Sequence, residues 1–431
     1  MNYAEEASRC RRCGMCQAVC PLYQSERQEQ FVARGKVRLT KIIEEGELNP
    51  GKIAKATFYN CLDCRACMEI CPAKVNVSRL VKKMREKIYD AYGDSLLFNL
   101  TLEHLTPYPE RLELARKSLR AYQSAGLPNL VRLLPSLKQK EAILPTVPKH
   151  SFRKELSSRL RCPGGKGKVA YFISCTTDIL YPQVGRAVMD VLEICGFEVY
   201  PMAEGTCCAV PQLGYGHVKR AKAMALQNIR AVSDDIDFIV NDCATCGSAL
   251  KEYPELFEGT EFEELARNFA RRVIDISAFL AQYADVPSGS ALGIRVTYHD
   301  PCHLNRAQNV QQEPRQLIAH SGSQLIEMEN SDRCCGGAGT FNLTHPDLSQ
   351  KLLKQKITAI KATGAEAVAT GCPACRMQIS AGLRTYYREI PIYHPVELLA
   401  MSFAQREGHE GEKTGKIEEI TEGQGWRRND T

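Results

Sequence analysis

The sequence predicts an α/β protein with three structured parts: a short helical module at the amino terminus, followed by two tandem α/β domains that each contain a parallel sheet. Two observations support this prediction. Within the first 72 residues, a run of four cysteines followed by proline occurs twice with the same spacing. After residue 167, a pattern of five cysteines occurs twice, and in both copies short apolar runs alternate with amphipathic stretches of helical length.

The composition favours metal binding over disulfides. The chain has 431 residues and 20 cysteines, and its first 20 residues lack the apolar stretch of a secretion signal. Because the cytosol keeps thiols reduced, so many cysteines in such a chain indicate metal ligands. We expect a cytoplasmic protein with no transmembrane segment, either free or associated with the inner face of the membrane through a complex. The net charge of +6 has no aromatic and basic platform beside it, so no nucleic-acid partner is expected.

Both amino-terminal runs read C-x-x-C-x-x-C-x-x-x-C-P, a spacing typical of proteins that hold two 4Fe-4S clusters. In this pattern three cysteines of one run bind one cubane cluster, and the fourth binds the other. The predicted ligand sets are Cys10, Cys13, Cys16 and Cys71 for one cluster, and Cys61, Cys64, Cys67 and Cys20 for the other. Structural zinc is the weaker alternative, because zinc sites usually pair two C-x-x-C hooks across a longer gap. Residues 1–92 are therefore predicted to form a two-cluster ferredoxin-type domain, with helices at 31–43 and 77–92.

Residues 93–166 are predicted to form a helical segment and a proline-rich linker. The helical pattern extends from Asp94 to Ala125, and prolines at 128, 135, 145 and 148 then interrupt it. A strap across the next domain is favoured over a membrane-surface patch for the apolar cluster Leu130, Val131, Leu133 and Leu134. Cys162 has no partner motif and is interpreted as an incidental thiol.

The five-cysteine pattern predicts two cysteine-rich domains, at residues 167–288 and 289–404, before a polar tail at 405–431. The first gap is 32 residues in both copies, the second is 35 and then 37, and each copy closes on C-x-x-C. The first copy contains Cys175, Cys207, Cys208, Cys243 and Cys246, and the second contains Cys302, Cys334, Cys335, Cys372 and Cys375.

Alternating strand and helix patterns predict a parallel sheet in each copy. The predicted strands of the first copy are 169–173, 197–200 and 238–240, those of the second are 294–298, 325–328 and 365–369, and a fourth strand-helix step begins at 273 and at 392. Every motif cysteine follows the carboxyl end of a predicted strand, the edge at which open α/β sheets bind ligands. We therefore expect the five sulfurs of each copy to converge and to hold one or two further Fe-S clusters in all, cubane or non-cubane.

Other residues near these motifs carry narrower predictions. Gly336, Gly337 and Gly339 allow the backbone to approach a cofactor and leave N–H groups free for sulfur, whereas the first copy has Ala209, Val210 and Pro211 after its cysteine pair. Cys195 lies on the apolar face of a predicted helix and is interpreted as a core thiol.

Two histidines flank Cys302 in the second copy. His299 and His303 are candidates for proton delivery to a substrate. The favoured alternative is that Asp300 and His303 serve only the helix start and the turn.

With these motifs assembled, the sequence resembles the iron-sulfur subunits of glycolate oxidase and of lactate-oxidising relatives over residues 6–402. The resemblance is carried by residues 34–39, by Cys334 to Gly337, and by Thr340 and 344–348. The chain is also similar to the catalytic subunit of heterodisulfide reductase and to the small subunit of anaerobic glycerol-3-phosphate dehydrogenase.

The resemblance implies an electron-transfer subunit of a glycolate or lactate dehydrogenase complex. No G-x-G-x-x-G after a strand and no Walker A loop is found, so the FAD is expected on a partner subunit. The implied acceptor is a quinone or an electron-transferring flavoprotein. Because both copies keep all five cysteines, reduction of a disulfide at a non-cubane 4Fe-4S cluster, as in heterodisulfide reductase, remains the alternative. The sequence assigns no catalytic residue.

Overall fold

The computed structural model describes residues 2–131, 141, 143–156 and 165–410. Seven α-helices and a 3-10 turn form the amino-terminal part: Tyr3–Ser8, Met15–Val19, Pro21–Glu26, Glu29–Phe31 (3-10), Ala33–Glu44, Lys52–Tyr59, Ala66–Glu69 and Val77–Tyr92. The predicted helix at 77–92 is confirmed, and Asn76 caps it by accepting a hydrogen bond from Arg79 N at 3.1 Å. The helix predicted from Phe31 begins two residues later, because 29–31 form the separate 3-10 turn. Buried Phe58, Leu80 and Met84 contribute to the core.

The linker has its own short helices and packs against the first cysteine-rich region. Its elements are Leu96–Asn99, the π-helix Leu100–Leu105, Pro109–Ser124, Leu127–Val131 and Phe152–Leu156. Arg116 Nη1 donates a hydrogen bond to the carbonyl oxygen of Pro148 at 2.6 Å, and the fully buried Phe152 meets the ring of Tyr171 in the next domain. The described part of the linker is therefore strapped across that domain. Leu133, Leu134 and Cys162 lie outside the described residues.

The first cysteine-rich region contains a four-stranded parallel sheet. Its strands are β1 (Lys168–Phe172), β2 (Glu198–Pro201), β3 (Phe238–Asn241) and β4 (Val273–Asp275), in the order β2-β1-β3-β4. Val169 of the central strand is paired with Val199 on one side and Phe238 on the other. Its helices are Cys175–Leu180, Pro182–Ile194, Val210–Tyr215, Val218–Arg230, Ala244–Lys251, Tyr253–Leu256, Glu263–Arg272 and Ile276–Tyr283.

The second cysteine-rich region repeats this topology. Its strands are β5 (Arg295–Tyr298), β6 (Gln324–Leu325), β7 (Ala367–Ala369) and β8 (Ile392–Tyr393), in the parallel order β6-β5-β7-β8. Val296 is paired with Leu325 and Ala367, as Val169 is with its neighbours. Its helices are Cys302–Gln308, Glu313–His320, Phe341–Thr344, Pro346–Thr363, Pro373–Tyr386 and Pro395–Glu410. The last helix continues past residue 405, where the polar tail was predicted to begin.

The two cysteine-rich regions share part of their hydrophobic core. Val396, Leu399 and Phe403 of the last helix pack in one cluster with Val184 and Val188 of the first region. The predicted α/β class, with a helical module and two parallel sheets, is confirmed. Within the described residues, no helix has the length and apolar character needed to cross a membrane.

Candidate metal centres

The two amino-terminal runs fold into nearly the same loop. Two residues after its first cysteine, each run has a residue with positive φ, Arg12 at 55° and Asp63 at 50°. The residue after the second cysteine is also left-handed, Gly14 at 83° and Arg65 at 61°. A short helix that carries the third cysteine then begins at Met15 or Ala66. The repeated spacing therefore corresponds to a repeated backbone conformation.

The eight cysteines of these runs surround two adjacent cavities. One is lined by Cys10, Cys13, Cys16 and Cys71, and the other by Cys20, Cys61 and Cys64, while Cys67 lines both. The fourth cysteine of each run thus lies at the cavity of the other run, and the division of the eight thiols into two ligand sets stays a prediction.

Buried positive charge accompanies the second cavity. Lys36 lines it and is 2% exposed, and its Nζ donates hydrogen bonds to the carbonyl oxygens of Phe31 at 2.7 Å and Gln30 at 3.0 Å. Burial lowers the pKa of Lys36, while the nearby Cys61, Cys20 and Cys67 oppose that change. A buried ammonium group offsets negative charge gathered on thiolates.

The first cysteine-rich site collects its five thiols from the carboxyl ends of three neighbouring strands. Cys175 follows β1 and opens a helix, Cys207 and Cys208 follow β2, and Cys243 follows β3 at the cap of the helix that contains Cys246. The pKa of Cys208 is lowered well below its usual value, first by its contact with Cys207 and then by Cys246. The pKa of Cys175 is raised well above its usual value, first by Cys207 and then by burial. The five sulfurs therefore converge, as the strand pattern predicts.

The second site has the same arrangement with a different loop. The pKa of Cys334 is lowered well below its usual value by contact with Cys302 and then Cys335. The pKa of Cys375 is raised well above its usual value by Cys335 and then Cys372. Gly336, with φ 84°, donates its N–H to Cys334 Sγ at 3.4 Å, so the predicted use of a glycine N–H is confirmed there. Ala209 keeps a left-handed conformation in the first copy, with φ 68°, and a helix begins directly after it.

The donor sets fit iron-sulfur centres. Buried thiolates are soft ligands that select iron-sulfur clusters, zinc or copper(I), and five in contact exceed the four that one zinc ion takes. Without cations, five neighbouring thiols resist ionisation together, which is why the pKa values within each site are driven in opposite directions.

The two cysteine-rich sites adjoin each other, which sequence reasoning missed. The pKa of Cys372 in the second site is lowered first by its contact with Cys243 of the first. Thr245 Oγ1 lies 3.6 Å from Cys372 Sγ, and Ala244 N donates a hydrogen bond to Gly371 O at 2.9 Å. No spacing in the sequence signals this contact, because it depends on how the two repeats pack.

The second site also adjoins the amino-terminal module. Cys20, Cys64 and Cys334 pack around one cluster of buried apolar residues. Burial and then the charge of Cys334 raise the pKa of Cys64. Arg306 stabilises the contact between the second domain and the module: its Nε lies 2.9 Å from Glu69 Oε2, and it forms a second ion pair with Asp332. The eighteen motif cysteines thus form one continuous series from the amino-terminal cavities through the second site to the first.

The residues flanking Cys302 have different surroundings from those predicted. Asp300 does not serve the helix start: it forms a two-pronged ion pair with Arg315, with both N–O distances 2.8 Å, and Pro301 holds the cap position. His303 Nδ1 lies 3.5 Å from Cys302 Sγ, and burial lowers its pKa. Burial also lowers the pKa of His299, to about 4, so this imidazole is neutral at physiological pH. Cys195 is 2% exposed in the core, as predicted.

Comparison with family models covers most of the chain. A model described as a 4Fe-4S dicluster domain matches residues 6–75. A model described as a cysteine-rich domain matches twice, at 169–251 and 296–380. A third, described as the linker region of the glycolate oxidase iron-sulfur subunit, matches 93–144.

Curated relatives agree with the family models. The probable glycolate oxidase iron-sulfur subunit of Bacillus subtilis is 32% identical over 396 residues, which is 88% of this chain and 89% of that protein. Lactate utilization protein A of Oceanobacillus iheyensis is 33% identical over 54% of this chain and 96% of its own length. A subunit of the fumarate reductase (CoM/CoB) of Methanothermobacter marburgensis is 29% identical over 84% of this chain and 64% of its own length.

A hypothetical protein from Helicobacter pylori, known from a crystal structure, shares the fold with a TM-score of 0.52 and 9% identity, over 88% of this chain and 68% of that one. The extent of the match to the Bacillus subtilis protein, together with the dicluster and cysteine-rich models, decides the family. This chain belongs to the family of iron-sulfur proteins that includes the probable glycolate oxidase iron-sulfur subunit of Bacillus subtilis.

Proposed function

We propose that this chain is the electron-transfer subunit of a flavin-dependent 2-hydroxy-acid dehydrogenase complex, with glycolate or lactate as substrate. The observation that carries the proposal is the continuous series of eighteen cysteines. A partner subunit with FAD would oxidise the hydroxy acid, and the electrons would leave to a quinone or an electron-transferring flavoprotein. Bound iron-sulfur clusters accept and release one electron at a time, which is the chemistry such a subunit needs.

The residues of the chain supply binding and electrostatics for this task. The proposed cubane ligands are Cys10, Cys13, Cys16 and Cys71 for one cluster and Cys20, Cys61, Cys64 and Cys67 for the other, with Lys36 buried beside the second. The five-thiol sets are proposed to hold one further centre each. Contacts of Cys64 with Cys334 and of Cys243 with Cys372 support a path through all four centres.

Reduction by substrate tests the proposal. The tagged chain, purified without air together with its bound partners, should bring down an FAD protein. Addition of glycolate or lactate should then bleach the broad absorbance near roughly 400 nm that thiolate-ligated iron-sulfur centres show. Cys64→Ser should interrupt the bleaching while the flavin is still reduced. Iron and acid-labile sulfide below the content of the two amino-terminal clusters, or no response to either acid, would refute the proposal.

A second candidate is reduction of a disulfide at one of the five-thiol sites. Two observations favour it: both sets are complete, and a relative of 29% identity is a subunit of a fumarate reductase named for CoM and CoB. Addition of a thiol substrate to the oxidised chain should then produce a new paramagnetic signal. Cys334→Ser or Cys207→Ser should remove that signal. Under the dehydrogenase proposal, thiols have no such effect.

A further inference from the structure

His299 follows β5 at the edge of the sheet where the second cysteine-rich site forms. It is 1% exposed. One of its ring nitrogens, Cys335 Sγ and Cys375 Sγ all lie within 4.8 Å of one another. This spacing is close to that of ligand atoms around a single metal centre.

The hydrogen bonds of His299 decide which of its ring nitrogens has a lone pair free to bind a metal. Its Nδ1 lies 3.1 Å from the carbonyl oxygen of Ser331, which only accepts hydrogen bonds, so Nδ1 carries the proton. Asp300 N and Lys356 Nζ donate to the same oxygen, at 3.1 Å and 3.0 Å. In the neutral ring, Nε2 therefore presents its lone pair.

Nε2 is buried and has no hydrogen-bond partner within the part of the chain that the structure describes. A buried acceptor with no partner is costly unless something occupies it. Histidines that bind metals commonly donate their other ring N–H to a backbone carbonyl, which fixes the tautomer and the ring orientation. His299 has this arrangement.

We propose that His299 Nε2 is a ligand of the iron-sulfur centre in the second cysteine-rich site. The second centre then has mixed nitrogen and sulfur ligation, whereas the first relies on thiolates. Cys175 and Cys302 are 127 positions apart, and the same offset takes His299 to Phe172, the last residue of β1. An apolar ring thus occupies the corresponding position in the first copy.

Ligation by His299 rests on the proposed iron-sulfur centre of the second site. It also predicts the reduction potential of that centre relative to the first. A neutral imidazole leaves less negative charge at the iron than a further thiolate would, and less negative charge raises the reduction potential of an iron-sulfur centre. The buried Lys356, whose Nζ also contacts Met328 Sδ at 3.7 Å, acts in the same direction. The second centre should therefore be the more easily reduced of the two five-thiol centres.

Nitrogen hyperfine spectroscopy tests the proposal. The full chain, produced with ¹⁵N-histidine and purified without air, should show a strong, directly bonded nitrogen coupling in the pulsed EPR signal of the second centre. His299→Phe copies the residue of the first site and should abolish this coupling while the iron and sulfide of the other centres are retained. His299→Cys, a soft replacement ligand, should retain the iron of the second centre, lose the coupling and shift its potential downward.

Two histidines serve as controls. His394 is equally buried, but its Nδ1 accepts a hydrogen bond from Val396 N at 3.1 Å, so its Nε2 carries the proton and cannot bind iron. His394→Phe should leave the coupling unchanged. His303, beside Cys302, is the competing nitrogen, and loss of the coupling in His303→Phe but not in His299→Phe would overturn the assignment. Iron in the second site with no histidine coupling refutes this inference alone, whereas absence of iron there also refutes the path through four centres that the proposed function includes.

Discussion

The two cysteine-rich domains have the same sheet order and the same five-cysteine pattern, yet their sites have different surroundings. The first site is enclosed by apolar residues such as Phe172 and is covered by a helix that begins directly after Ala209. The second has His299, Lys356 and a glycine loop around its thiols, and it packs with Cys64 of the amino-terminal module. The shared sheet order thus preserves the positions of the thiol ligands in both domains. The residues around the thiols determine the charge near each site and the parts of the molecule that each site contacts.

The largest expected effect comes from removing one ligand in each site. Cys335→Ser should lose the iron of the second centre, and the matched Cys208→Ser should lose that of the first, because each thiol contacts two others of its own set. Cys335→Ser should also abolish substrate-driven reduction of the first centre, since the second lies between it and Cys64. Iron analysis and EPR at graded potentials measure both effects. Reduction of the first centre by substrate in Cys335→Ser, to the extent seen in the unmodified chain, would contradict the proposed order.

The next effect concerns the strap, which covers the first domain. Phe152 is fully buried and packs directly on Gly185, where an added Cβ would lie 2.8 Å from its ring. Gly185 has no side chain to fill the space that Phe152 would leave. Phe152→Ala should lower the free energy of unfolding by about 3–5 kcal/mol. Ile53→Ala, at a side chain 73% exposed, is the control and should change it by less than about 0.5 kcal/mol. Anaerobic urea unfolding checks this, and a Phe152→Ala midpoint equal to that of the control would show that the strap does not stabilise the domain.

A pH-dependent difference is expected between Asp275, the last residue of β4, and His394, the residue after β8. Burial raises the pKa of Asp275 to about 7, so the folded state binds the proton more tightly than the unfolded state does. Its contribution to stability is complete below pH 4 and declines as the pH rises toward 7, by at most about 1.4 kcal/mol per pH unit. Asp275→Asn, which keeps a side-chain acceptor for Ser277 N, should flatten this decline.

His394 should behave in the opposite way. Burial lowers its pKa to about 3, so the folded state excludes the proton and stability declines as the pH falls from about 6.5 toward 3. The two groups have opposite slopes between about pH 4 and 6.5, so His394→Gln should flatten the decline in stability on the acid side and Asp275→Asn should steepen it. Unfolding measured between pH 4 and 8 separates the two, and a single common profile for both variants would contradict the assignment.

The smallest effects concern docking of the amino-terminal module on each domain. Glu252 of the first domain is half-buried between Lys82, at 2.6 Å, and Arg65, so Glu252→Gln leaves two cations poorly compensated. It should destabilise the module by roughly 1–3 kcal/mol. Glu69 is 59% exposed and is paired with Arg306. Glu69→Gln should therefore destabilise the module by less than about 1 kcal/mol. Hydrogen exchange in the helix Val77–Tyr92 measures both, and equal exchange rates in the two variants would place the main attachment elsewhere.

Much of the fold could be predicted because its signals are local. The repeated spacing of cysteines, the alternation of apolar runs with amphipathic stretches, and the position of each cysteine after a strand depend on neighbours along the chain. The helix 77–92 and the parallel pairing of the strands in both sheets agree with those patterns. Errors are confined to ends: β6 is shorter than its apolar run, and Asp300 pairs with Arg315 rather than serving the helix start.

The sequence by itself determined which thiols gather in each set, because spacing along a strand-loop-helix unit places a cysteine at a known edge. Only the tertiary structure decided which sets adjoin, how Phe152 is held, and what surrounds each centre. Cys243 and Cys372 meet because two domains pack together, and His299 faces Cys335 and Cys375 because separate strands end side by side. Contacts between residues far apart in the chain produce no periodic pattern in the sequence, because they form only when complete helices and strands pack together.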